Sequence, residues 1–84
     1  MQLESPARQK ENFLVSKAKT DAYLKMISIA ICEVNGNRGT LRKLIWDYLL
    51  REFRDSIEYR DFILSISELL KSGRLVNKAG YYFV

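Results

Sequence analysis

The sequence predicts an α+β fold, mostly α, in which three helices are followed by a C-terminal β-hairpin. Three observations carry that expectation. Apolar residues recur three times with the period of an α-helix, two of those stripes end on a glycine (Asn35-Gly36 and Gly73), and β-prone side chains flank Lys78-Ala79-Gly80 near the end of the chain.

The first helix is expected to start at Thr20, a capping residue followed by Asp21. At 100° per residue Tyr23, Leu24, Met26, Ile27, Ala30, Ile31 and Val34 share one broad face, while Lys25, Ser28 and Cys32 lie opposite and Ile29 falls on the polar side. A second start at Thr40 leads into a stripe of Leu41, Leu44, Ile45, Tyr48 and Leu49, with Trp46, Leu50 and Phe53 along its edge. The third start is Asp55-Ser56-Ile57-Glu58, a capping-box pattern, ahead of Tyr59, Phe62, Ile63, Ile66, Leu69 and Leu70 on one face. After Gly73, residues 74–77 and 80–84 read as paired strands around a short turn, and residues 37–39 as a short third strand on the hairpin's edge. Three helices and a terminal ribbon in this order make a winged helix-turn-helix over residues 20–84, with residues 1–19, which hold the only proline and one apolar cluster at Phe13, expected to be a flexible leader. A last residue, Val84, that still reads as strand suggests a piece of a longer protein.

Composition narrows the function classes. A chain of 84 residues makes one small core and leaves little room for an enzyme cleft. There is no histidine and only one cysteine, Cys32, so the usual zinc sets and any internal disulfide are not expected, and Cys32 reads as a small helix-packing residue in a reducing compartment. Glu58, Asp61, Ser65 and Glu68 fall at helical spacing, but without histidine or a metal set they read as a solvated face. Lys71-Ser72-Gly73-Arg74 is too short for a phosphate loop. No catalytic residue, metal, cofactor, small-molecule substrate or membrane partner is therefore expected. The net charge of +4 divides evenly: four cations against two carboxylates in residues 1–20, and ten against eight in residues 21–84.

The segments YLKMISIAI (23–31), GTLRKLIWDYL (39–49) and ISELLKSGRLVNKAGYYFV (66–84) together resemble the globular domain of linker histones and related chromatin proteins. The shared pattern is Ile27-x-x-Ala30-Ile31, then a Gly39-Thr40 start with Ile45-x-x-Tyr48-Leu49, then Leu70-x-x-Gly73-x-Leu75-Val76. The resemblance spans about residues 21–84 and rests mainly on core and turn positions, which speak to fold before function. It implies a nuclear protein that holds duplex DNA, as at a nucleosome, through phosphates. Lys71, Arg74 and Lys78 would act in and near the wing, Arg38, Arg42 and Lys43 in a second patch at the start of the second helix, and Arg60 on the third helix. That third helix departs from the family, because Arg60, Ser65, Ser67 and Lys71 stand among Glu58, Asp61 and Glu68, and carboxylates repel phosphates. The acidic helix and the surplus apolar residues Trp46, Leu50, Ile57, Leu64 and Phe83 suggest the alternative, a winged-helix protein-interaction module of a chromatin or DNA-modifying complex. Tyr81 and Phe83 are unusually apolar for a solvated wing face if Tyr82 and Val84 point inward with Leu75.

Overall fold

A computed structural model describes residues 16–84. The chain runs α1 (Lys17–Val34), a 3₁₀ turn (Gly36–Arg38), β1 (Thr40–Leu41), α2 (Arg42–Phe53), a second 3₁₀ turn (Arg54–Ser56), α3 (Tyr59–Lys71), β2 (Val76–Lys78) and β3 (Tyr81–Phe83). It is the mostly helical α+β arrangement of a winged helix, three helices and a small antiparallel sheet in the order β1-β3-β2. No helix among the described residues is long and apolar enough to cross a membrane.

The core forms where the three helical stripes meet the inner face of the sheet. Tyr23, Ile27, Ala30 and Ile31 come from α1, Ile45 and Leu49 from α2, Phe62, Ile66 and Leu69 from α3, and Leu75 and Tyr82 from the wing. Phe62 is the hub of its aromatic part, with ring centroids 4.9 Å from Trp46, 6.0 Å from Tyr59 and 6.5 Å from Tyr23.

The element starts differ from the sequence expectation, each for a local reason. α1 begins one turn before Thr20, because Ser16 has the extended backbone of a cap and its Oγ accepts from the Lys19 N–H at 3.1 Å. Thr20 is inside the helix and buried. Residues 17–19, expected in the leader, therefore belong to α1. The rest of that leader, residues 1–15 with Phe13, lies outside the described residues. Residues 37–39 do not form the third strand, which is instead Thr40–Leu41, paired with Tyr82 and Tyr81. That pairing keeps Thr40 and Leu41 extended and delays α2 to Arg42. As a result Leu41 and Leu44, expected in the inner stripe, are exposed, and Ile45 and Leu49 are the buried pair.

The capping box at Asp55–Glu58 does not form. Asp55 lies in a 3₁₀ turn, and Glu58 is the residue that precedes α3 without a side-chain cap. The Tyr23 hydroxyl of α1 takes over there. It accepts from the Glu58 N–H at 2.9 Å and donates to the Glu58 carbonyl at 3.2 Å, so a group 35 residues away satisfies the start of α3. Burial pushes the Tyr23 hydroxyl above its ordinary value of 10.0 and outweighs the lowering by the Glu58 backbone. A raised folded value means that the unfolded chain loses this proton first, so the contribution is full below pH 10.0 and is lost as the pH rises through the folded value. Tyr23→Phe is expected to cost about 1–2 kcal/mol in urea unfolding, because the Glu58 N–H loses its acceptor, and to flatten the alkaline fall in stability. An unchanged midpoint and an unchanged alkaline limb would sink this assignment.

Other departures concern exposure. Tyr59, expected inside, is exposed apart from its ring contacts with Trp46 at 5.0 Å and Phe62 at 6.0 Å. Ser65, expected on the solvated face, is fully buried with no hydrogen-bond partner for its hydroxyl, since the centre of the α3 stripe runs between Phe62, Ile66 and Leu69. Cys32 is exposed rather than packed, as its position opposite the apolar face of α1 dictates.

α3 ends as the Gly73 signal predicts. Gly73 has φ +78, its N–H donates to the Leu70 carbonyl at 3.2 Å, and the Arg74 N–H donates to the Leu69 carbonyl at 2.9 Å, the two crossing bonds of a Schellman motif. The reversal aims Leu75 back into the core. The hairpin is shorter than expected, with Lys78 opposite Tyr81 across the two-residue turn Ala79-Gly80. Both turn residues have positive φ, 53° and 89°, as a primed turn requires, and the Asn77 Oδ1 accepts from the Gly80 N–H at 3.1 Å.

Candidate nucleic-acid interface

The sheet register determines which of the predicted basic residues meet. Leu41 on β1 and Lys78 on β2 lie directly opposite Tyr81 on the central strand β3. The start of α2, with Arg42 and Lys43, is thereby brought beside the tip of the wing. Two strand spacings of about 4.8 Å separate β1 from β2, so these cations flank Tyr81 at a distance of order 10 Å in the backbone.

Arg42 is fixed in place. Its guanidinium donates to the Tyr82 hydroxyl at 2.7 Å and lies 5.7 Å from the centroid of the same ring. Tyr82 thus packs its ring in the core and uses its hydroxyl to hold a surface cation. Leu41, which precedes α2, offers no side-chain cap, and the first turn carries no carboxylate. Arg42 and Lys43 occupy positions where a negative charge would favour the helix dipole, so the start of α2 is locally electropositive. Lys43 has a long contact of 3.9 Å to Asp47, and both side chains are well exposed, a pair of little energetic weight.

The remaining predicted cations lie elsewhere. The Arg74 guanidinium donates to the Asp21 carboxylate at 2.8 Å, joining the wing approach to the second turn of α1. Lys71 faces Glu68 at 4.0 Å on its own helix. Arg60 is exposed on α3 next to Asp61, whose carboxylate accepts from the Lys19 ammonium at 3.0 Å and holds that lysine's pKa above 10.5 through the hydrogen bond and then the charge. Arg38 is exposed in the first 3₁₀ turn. By backbone position the register thus brings together Arg42, Lys43 and Lys78, with Arg38 just ahead of β1, while Arg74 and Lys71 are paired with carboxylates and Arg60 is on α3 beside Asp61.

The predicted partner-binding residues are half-buried. Trp46 and Ile57 pack against the core, Leu50 and Leu64 are half-covered on α2 and α3, and Phe83 lies across Gly39. The exposed apolar side chains are others, and three gather on the outer face of the sheet: Leu41, Tyr81 and Val76, 42%, 41% and 40% exposed. Sequence reasoning missed Leu41 and Val76, and it missed the Tyr82 hydroxyl as the anchor of Arg42. The signal for the face was the alternation of β3, since an inward Tyr82 obliges Tyr81 and Phe83 to point out.

In comparisons with known proteins the chain matches no protein-family model, no curated protein and no solved structure.

Proposed function

We propose that this chain is a nucleic-acid-binding winged-helix module that holds duplex DNA mainly through its phosphates, in chromatin and hence in the nucleus, as the resemblance to linker histones implies. The observation that carries the reading is the register Leu41–Tyr81–Lys78, which sets Arg42 and Lys43 and the wing lysine on either side of one strand. Arg42, pinned by Tyr82, is the positioned contact, and the electropositive start of α2 adds to it. Lys43 and Lys78 supply mobile charge. α3 is not assigned to the major groove, since its exposed surface carries Glu58 and Glu68 beside Arg60 and Lys71.

Fluorescence anisotropy of a labelled duplex across a salt series tests the proposal. Three phosphate contacts are expected to give a log–log slope of about −2.7, and Arg42→Gln or Lys78→Gln is expected to lower its magnitude by about 0.9 each. Lys71→Gln, outside the cluster, is expected to leave it unchanged. Affinity indifferent to ionic strength, or equal losses for Lys71 and Lys78, would defeat the reading.

A further inference from the structure

We infer that the outer face of the sheet is a stacking platform for an unpaired nucleobase, with Tyr81 as its aromatic surface, so that the ligand class of the site is a single strand or the single-stranded flank of a duplex. The inference rests on the phosphate-binding reading above and adds base recognition to it.

Antiparallel sheets with one solvated face ordinarily place polar side chains there. Here the outer face consists of two cross-strand rows, Leu41–Tyr81–Lys78 and Gly39–Phe83–Val76, about 7 Å apart along the strands. Neither row contains a carboxylate. The Phe83 ring lies over Gly39, where an added Cβ would come within 2.5 Å of it, so Phe83 is held down as part of the floor. Tyr81 is at the centre of the sheet, and its inward neighbour Tyr82 is fixed by Arg42.

Size and charge select the occupant. The face measures about 10 Å across three strands and about 10 Å along them, on the order of 100 Å², whereas a stable protein interface needs about 800 Å² per partner. One or two bases fit that area. The cation beside the ring on this face is Lys78 on β2, directly opposite Tyr81, where a strand whose base lies on Tyr81 would carry a phosphate, while the Arg42 guanidinium is held at the Tyr82 hydroxyl on the inner side. An exposed aromatic ring beside a cation is the combination by which single strands are bound without sequence preference.

The test uses the full chain and three DNA probes at one salt concentration: a blunt duplex, the same duplex with a single-stranded overhang carrying 2-aminopurine, and the single strand. The overhang and the single strand are expected to bind ~10-fold more tightly than the blunt duplex, with 2-aminopurine quenching. Tyr81→Leu keeps the apolar cover of the sheet and is expected to remove that ~10-fold gain and the quenching while leaving blunt-duplex affinity unchanged; Tyr81→Trp is expected to retain both. Equal affinity for blunt and overhang probes, or an equal loss on all three in Tyr81→Leu, overturns the inference. Salt-dependent duplex binding with no Tyr81 effect sinks the platform alone. Tyr81-dependent single-strand binding without duplex binding sinks the duplex reading alone and supports the platform. Absence of binding to every probe, or Tyr81-dependent self-association in light scattering in place of DNA binding, overturns it as well.

Discussion

Gly39→Ala is expected to destabilise the protein by about 3 kcal/mol, from two separable causes. The backbone at Gly39 has φ 83° and ψ 164°, a region essentially restricted to glycine, and an added Cβ would come within 2.5–2.9 Å of three atoms of the Phe83 ring. The ring cannot simply move away, because Phe83 is in the register that pairs it with Val76 and, through Tyr82, holds β1 to β3. Urea unfolding of Gly39→Ala, Phe83→Ala and the double variant separates the causes. The pair is expected to be less destabilised than the sum, since removing the ring removes the collision but not the strained φ. Strict additivity would show that the ring does not press on Gly39. The same substitution is expected to weaken duplex binding beyond its effect on folding, because β1 carries Arg42 to the wing.

The second large effect is expected at Phe62. It is fully buried and its ring touches those of Trp46, Tyr59 and Tyr23 from all three helices. Phe62→Ala is expected to cost about 3–5 kcal/mol, a large part of the 5–15 kcal/mol that holds a domain together. In a chain of this size that lowers the melting temperature by roughly 12–40 °C in calorimetry. Phe62→Leu, which keeps most of the volume, is expected to lose less than half as much. A shift of only a few degrees for the alanine variant would place the hub of the core elsewhere.

Much of the fold could be read residue by residue. The Ile27, Ala30, Ile31 stripe, the Ile45 and Leu49 pair and the Phe62, Ile66, Leu69 stripe all follow from a 3.6-residue period, and the Gly73 stop follows from the left-handed conformation that a Schellman motif demands. The misplaced starts share one origin. At Thr20, Thr40 and Asp55 a residue with good capping chemistry was present, but Ser16, the β1–β3 pairing and the Tyr23 hydroxyl respectively supplied what the backbone needed at another position. The candidate site was legible only in part. Arg42, Lys43 and Lys78 could be named, yet nothing local separates them from Arg74, whose carboxylate partner Asp21 stands 53 residues away.

Local periodicity and turn chemistry were enough to specify three helices, their stop signals and a terminal hairpin, because each depends on interactions among residues within about one or two turns of one another. Which cations the sheet brings near one another, and which aromatic ring stands on its outer face, depended on the pairing of strands about forty residues apart. Such pairing is set by how the inner face of β3 seats Tyr82 against the helical core, and a shift of one residue would turn Tyr81 inward and dissolve the candidate site.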